Sequence, residues 1–327
     1  MNPIRVFDGH CDTILSLNER KETLYDNNCH VSLKRAEKLG GYAQYFAFFT
    51  TRGPEPASEY FLRLYPYLIA QLQNAQDKAR LCADAVQAQQ AVGEGKTAIL
   101  LSIEGAEAID CDPGKLEWAR SLGVSMIGLT WNDENPLAGS HLTGGGLTDQ
   151  GREFVKRAQE LGMVVDVSHI SEQAFWDICD IATKPIVASH SNSKALCPHS
   201  RNLTDAQFLA IADLGGTAGL NQYSAFLGQE PVTLDTLRRH LEHFMELAPE
   251  HVALGGDWDG CDSLPQGVDG IDAYVDLYRH LERHGWPQQA LQNVYFENLM
   301  KVVRRCTISA QETTPCAIRP RRPLPRD

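Results

Sequence analysis

The chain has 327 residues, 43% hydrophobic and 22% charged, a balance that suits one large soluble core and excludes a fibrous or wholly disordered protein. Its net charge of -12 and pI near 5.4 repel nucleic-acid phosphates and anionic lipid, so neither is an expected partner. Nine cysteines at irregular spacing, with no CxxC pair, read as scattered buried thiols and not as a disulfide framework or a thiolate zinc site, which points to a reducing, cytoplasmic setting.

Short β-rich runs alternate with amphipathic helical segments, the pattern of parallel strands joined by right-handed crossovers. In chain order the runs are Ile4–Asp8, Tyr42–Phe49, Thr97–Ser102, Val124–Thr130, Met163–Val167, Pro185–Ser189, Gly216–Asn221 and Val252–Gly256. Eight such runs close an α/β fold of the (β/α)8 TIM-barrel kind. Helix starts are marked by Thr148-Asp149 and Thr204-Asp205, and helix ends by Gly162 and Gly215. The longest helical stretch is expected from Ser58 to Val92, lying on the barrel through Leu62, Leu64, Tyr67, Leu68 and Leu72. Residues 1–303 form one catalytic domain in this reading, and the Pro/Arg-rich tail 304–327 is expected to be disordered. A basic-then-apolar leader, a run of about 18 apolar residues and a hydrophobic C-terminal tail are all missing, so membrane attachment is not expected.

In such a barrel the active face is the C-terminal end of the strands. Metal-capable groups finish five of the eight runs: His10 and Asp12 after the first, Glu104 after the third, His169 after the fifth, His190 after the sixth and Asp257 after the eighth. Imidazole and carboxylate suit zinc, and three His with several carboxylates exceed what one tetrahedral ion uses, so two ions fit better. Glu104, alone on its strand end, is the candidate bridge between them. Residues two apart on an extended chain face one side, so His10 and Asp12 can serve one ion. Singly, an HxD pair or a lone His after a strand is more often surface or core polarity; the conjunction on one barrel face carries the metal reading. His30, His199, His240, His243, His251, His280 and His284 read as solvated side chains, and His141 in the long loop after the fourth run stays open.

The motifs Asp8-Gly9-His10-Cys11-Asp12, Ser102-Ile103-Glu104-Gly105, Asp166-Val167-Ser168-His169, Ser189-His190-Ser191 and Gly255-Gly256-Asp257-Trp258-Asp259-Gly260 resemble, in order, those of the membrane (renal) dipeptidase family, over about residues 3 to 303. Gly146-Leu147-Thr148 with Gly151-Arg152, and Ser200-Arg201-Asn202, add to the resemblance. It implies two Zn2+ per chain, one on His10 and Asp12, the other on His169 and His190, with Glu104 bridging. It further implies a dipeptide substrate whose terminal carboxylate pairs with Arg201, a guanidinium fork suited to that task, and a bridging hydroxide whose proton Asp257 handles. One departure stands out: Trp131 follows Leu129-Thr130 where family members such as the mammalian enzyme have a substrate-contacting His. Trp131 then shapes the pocket, carbonyl polarisation falls to zinc, Asn132 or another loop group, and Tyr223 is a further candidate pocket residue. Two alternatives remain at this stage: a binuclear hydrolase of another amide, lactam or ester, and a non-catalytic metal-binding barrel. A homodimer is the assembly to test.

Overall fold

Short apolar runs whose alternate residues turn to opposite faces become strands, and the polar, capped segments between them become helices. The computed structural model describes residues 4–49, 53, 55–229 and 231–307. Its strands are β1 (Arg5–Cys11), β2 (Gly41–Phe49), β3 (Ala79–Leu81), β4 (Thr97–Glu104), β5 (Val124–Gly128), β6 (Val164–Asp166), β7 (Ile186–Ala188), β8 (Thr217–Leu220) and β9 (Val252–Leu254). They pair in parallel in the order β2-β1-β9-β8-β7-β6-β5-β4, and β2 pairs back onto β4 from Ala43↔Ala98 to Phe49↔Glu104. That last pairing closes an eight-stranded (β/α)8 barrel, and all eight expected runs are its strands.

The ninth strand, β3, corrects the single helix expected from Ser58 to Val92. This segment is a helix Ala57–Asn74, then β3, then a helix Ala85–Gly93 whose N-cap Asp84 accepts the Gln87 N–H. β3 pairs with the first half of β4, from Ala79↔Thr97 to Leu81↔Ile99, and β5 takes over that edge from Leu101. Helix-forming residues flank the break and no Gly or Pro marks it, so the helical pattern reads straight through. The first of the two helices packs through Phe61, Leu64, Leu68 and Leu72, whereas Leu62 is 56% exposed because it lies two residues from Leu64 and off that face. Thr148 and Thr204 do cap their helices, and Gly162 and Gly215 end them at φ of +74° and +77°.

Strand alternation sorts the core into two layers. Phe7, Ala43, Tyr45, Ala98, Leu100, Met126, Val164, Val187 and Ala253 form an inner cluster, closed at the N-terminal end of the strands by Phe296, Leu299, Met300 and Val303. Val6, Phe46, Phe48, Ile99, Leu101 and Ile103 belong to the layer beneath the helices. Glu104 shares the parity of Ala98 and Leu100 and therefore faces the barrel axis at its mouth. The last helix runs from Asn298 through Thr307, past Val303; the remaining Pro/Arg-rich tail lies outside the described residues. No helix among the described residues is long and apolar enough to cross a membrane.

His240 departs from the solvated reading. It is buried on the helix Leu234–Leu247, where Nδ1 accepts the Ser193 N–H at 3.2 Å and Nε2 donates to the Leu227 carbonyl at 2.9 Å. Burial lowers its pKa to about 4, with the Leu227 carbonyl opposing and His243 and Arg239 adding to the fall. The folded state thus binds this proton less readily than the unfolded chain, whose His titrates near 6.5. The corresponding stability, roughly 3 kcal/mol, is present above pH 6.5 and is lost as pH falls toward 4. Urea unfolding of wild type and His240→Gln is expected to show a stability gap that narrows by that amount between pH 7 and pH 4; a gap independent of pH would assign the burial no such role.

Candidate metal centre

Alternation from Phe7, which faces inward, would put His10 and Asp12 on the outer side of β1. The β1–β2 register shifts between Asp8 and Cys11, however, and this irregularity rotates the strand end so that Cys11 joins the outer core while His10 turns to the mouth. Asp12 is the N-cap of the helix Thr13–Arg20, held by its N–H to the Trp258 carbonyl at 2.8 Å. His10 and Asp12 do meet, with Nε2 and Oδ2 3.3 Å apart, but through a bulge and a helix start and not through a straight extended strand. The buried Asp8 carboxylate fixes the bulge: it accepts the N–H groups of His10 (2.9 Å) and Gly256 (3.0 Å), the Trp258 indole N–H (2.8 Å), the Gln44 amide (3.1 Å) and the Tyr274 hydroxyl.

Glu104 sits between two groups of donor atoms. Its Oε2 is 3.3 Å from His10 Nε2, and its Oε1 is 2.8 Å from His169 Nε2 and 3.5 Å from His190 Nε2. Ligand atoms about 2.0–2.2 Å from one tetrahedral ion lie roughly 3.3–3.5 Å apart; the His10 group has that spacing, and the His169 group, with Nε2 of His169 and His190 3.0 Å apart, lies within about half an ångström of it. His10, Asp12 and Glu104 form one set, Glu104, His169 and His190 another, and His10, His190 and Asp257 also converge.

The hydrogen bonds around these rings determine which atoms carry free lone pairs. Ser189 Oγ donates to Asp166 Oδ2 at 2.5 Å and so must accept from His190 Nδ1 at 2.7 Å, leaving His190 Nε2 unprotonated. Asp166 is itself held by the N–H groups of Ser168 and Ser189, each at 3.0 Å, and by the Ser168 hydroxyl. His169 Nδ1 donates to Asn132 Oδ1 at 3.2 Å, and that oxygen also accepts from His141 Nε2 at 2.8 Å, while His141 Nδ1 accepts from Ser200 Oγ at 2.9 Å. Two lone-pair-bearing Nε2 atoms therefore face each other at 3.0 Å beside a carboxylate oxygen. Both ring nitrogens of His10 and Oδ1 of Asp12 are buried without a hydrogen-bond partner. Such a convergence of acceptors needs a cation, and the residues present fit one.

The charges agree. Burial raises Asp12 to about 7, with Glu104 and Asp257 adding to the rise and His10 opposing, and burial likewise raises Asp257. Three buried carboxylates, Asp12, Glu104 and Asp257, share this mouth with the buried Arg201 guanidinium and with His10, which Glu104 and Asp12 hold well above its usual pKa against burial, and a bound divalent ion would take the place of the His10 proton. Burial lowers His169 to about 4 and His190 well below its usual value, so both rings are in the neutral, ligating form.

Asp257 follows β9 with φ of +56°, and Asn221 Nδ2 donates to its Oδ2 at 2.9 Å. Gly260 passes so close that a Cβ there would lie 2.2 Å from Asp12 Oδ2 and 2.5 Å from Asp257 Oδ1. Asp259, at φ +65°, anchors the same turn by accepting from Thr13 Oγ1 (2.6 Å) and the His30 N–H (2.8 Å). Arg201 is buried with long polar contacts, 3.5 Å to Ser191 Oγ and 3.4 Å to the His190 carbonyl, it lies 5.6 Å over the Phe226 ring, and its Nε has no hydrogen-bond partner among the described residues. Trp131 packs edge-on against Phe49, ring centroids 4.6 Å apart, and stands 6.2 Å from the His169 ring. Asn132, expected beside the substrate, has its carbonyl oxygen committed to His169 and His141. Tyr223 packs on Phe226, and its hydroxyl lies 3.3 Å from Asp262. The sequence reading assigned no role to Asp8, Asp166, Ser189, His141 or Asn221; the first three lie in the quoted motifs, where their company with metal-capable residues is the one available signal.

The chain matches the sequence model described as membrane dipeptidase (peptidase family M19) over residues 1–315. An uncharacterized protein from the pqqA 5′ region of Klebsiella pneumoniae is 36% identical over 241 residues, covering 69% of this chain and 89% of that protein. Among solved structures, a metallo peptidase from Rhodobacter sphaeroides, liganded with a phosphinate mimic of the dipeptide L-Ala-D-Ala, superposes with a TM-score of 0.86 at 27% identity, covering 93% of this chain and 100% of that one. A metallo peptidase described as the dipeptidase AC has a TM-score of 0.86 at 29% identity, over 94% and 99% of the two chains.

Proposed function

The chain belongs to the membrane dipeptidase family, and from that premise we propose that this metallo-dipeptidase uses two zinc ions to hydrolyse the peptide bond of dipeptides. The observation that carries the reading is the pair of donor sets sharing Glu104, one with unpartnered buried atoms on His10 and Asp12, the other with the Nε2 atoms of His169 and His190 facing each other at 3.0 Å. His10, Asp12 and Glu104 would hold one ion, and Glu104, His169 and His190 the other. Bound there, the pair supplies an activated water and a Lewis acid for the scissile carbonyl.

The protein's own groups do the rest. Arg201 receives the substrate's terminal carboxylate, since a buried guanidinium without a close anionic partner is preorganised for one. The surplus carboxylates attract the free amino group at the other end, and a substrate held at both ends is a dipeptide. Asp257 takes a proton from the attacking water as its oxygen bonds to the carbonyl carbon, then delivers it to the nitrogen as the C–N bond breaks. Asn221 holds the Asp257 carboxylate in place for both transfers. Trp131 and Phe49 wall the cluster beside His169.

Zinc content per chain, with turnover of an L,L and L,D dipeptide panel by wild type and His190→Ala, tests the proposal. Two zincs at the barrel mouth, counted in a protein carrying His284→Ala so that no outer-helix site contributes, and metal-dependent cleavage lost with His190→Ala are expected. Lactam or ester turnover without dipeptide turnover would move the reading to another binuclear hydrolase, and two zincs with no turnover to a non-catalytic barrel. Gly260→Ala is a finer test: its methyl must displace Asp12 or Asp257, and a shift near 1 Å at reacting groups costs about 100-fold in kcat/KM. An unchanged rate would mean that neither carboxylate needs its observed place.

A further inference from the structure

Away from the barrel mouth, the helices Leu234–Leu247 and Ala273–Arg283 pack against each other, and Asp235, His280 and His284 present donor atoms within 4.8 Å of one another. His280 and His284 are four residues apart on one helix face, with ring centroids separated by 4.3 Å. His284 Nδ1 lies 2.8 Å from the His280 carbonyl; it donates there, so Nε2 keeps its lone pair. His280 Nε2 is buried, has no hydrogen-bond partner, and faces Asp235 Oδ1 at 3.6 Å. That is too long for a hydrogen bond and close to the spacing of two ligands on one ion.

We propose that Asp235, His280 and His284 form a surface site for a divalent transition-metal ion, separate from the barrel mouth, that pins these two outer helices together. Two imidazoles and one carboxylate select zinc- or nickel-like ions over calcium or magnesium. Burial and His284 lower the His280 pKa, with Asp235 opposing, which favours the neutral ring that can ligate. Arg238 contacts Asp235 Oδ1 through both Nε and a terminal nitrogen, each at 2.9 Å, and Arg239 reaches Oδ2 at 3.5 Å, which leaves Oδ2 the freer oxygen for a metal. A carboxylate has about four lone-pair directions, and Arg238 is also balanced by Glu242, so a metal can share Asp235 with them. The exposed His284 supplies the third donor at the solvent side of the site.

The site stands independently of the reading of the barrel mouth, and its test is a difference between two proteins with the same barrel ligands. Tag-free full-length wild type and His284→Ala are dialysed to equilibrium against excess Zn2+ and their zinc is counted; far-UV circular dichroism confirms that the variant is folded. The variant is expected to hold one equivalent less, and to lose a zinc-dependent rise in Tm that wild type shows. Equal zinc content in the two proteins overturns the site, including the case where both hold more than the barrel can bind.

Discussion

Asp257→Asn is expected to lower kcat by roughly 10^2- to 10^4-fold, the usual contribution of a positioned proton-transfer group, with two zincs retained. The substitution preserves shape. Asn tolerates the left-handed backbone at φ +56° and can still accept the Asn221 amide proton. What it loses is the ability to carry a proton between water and amine. Burial raises this carboxyl above its ordinary range, with Glu104 adding to the rise and His10, Asn221 and Arg201 opposing, which brings it nearer to the pH at which it must both accept and release a proton. Zinc content decides between two roles, because Asp257 also converges with His10 and His190 as a ligand-capable set. Two zincs with a collapsed kcat identify the proton carrier; loss of one zinc would make Asp257 a ligand, and a kcat within threefold of wild type would leave it structural.

The candidate site was legible in the sequence to the extent that strand ends are. Glu104 faces the axis because it keeps in step with Ala98 and Leu100 on a regular strand, and strand parity is a local property. His10 and Asp12 meet for a reason that local reading misses, since the bulge that turns them inward depends on Asp8 gathering Gly256, Trp258 and Tyr274 from the far end of the chain. The same non-locality hid His240, whose two ring nitrogens find Ser193 and Leu227. β3 was hidden differently: it is three residues long and lies between good helix formers, so no periodicity distinguishes it. Helix caps, by contrast, are written in adjacent residues, and Thr148 and Thr204 behave as read.

Arg201→Met is expected to lower kcat/KM for dipeptides by about 30- to 4,000-fold, corresponding to the roughly 2–5 kcal/mol lost when one member of a buried charged pair is truncated. Most of the loss should fall on KM, because a carboxylate remote from the reacting bond is gripped equally in ground and transition states. The effect on stability should have the opposite sign. In the free protein the guanidinium is buried, its contacts are no shorter than 3.4 Å, and its Nε is unpartnered. Burial lowers its pKa to about 10 even though Asp257, Glu104 and Asp166 favour the charge. An apolar side chain of similar length relieves that desolvation, so Tm should rise as affinity falls. A structural ion pair would behave otherwise, losing stability on truncation. Arg201→Lys keeps the charge but not the planar fork and should recover only part of the affinity. A dipeptide whose C-terminus is a carboxamide supplies the control: wild type should prefer the free acid strongly, and Arg201→Met should treat the two alike. If the preference survives the substitution, the carboxylate is held elsewhere.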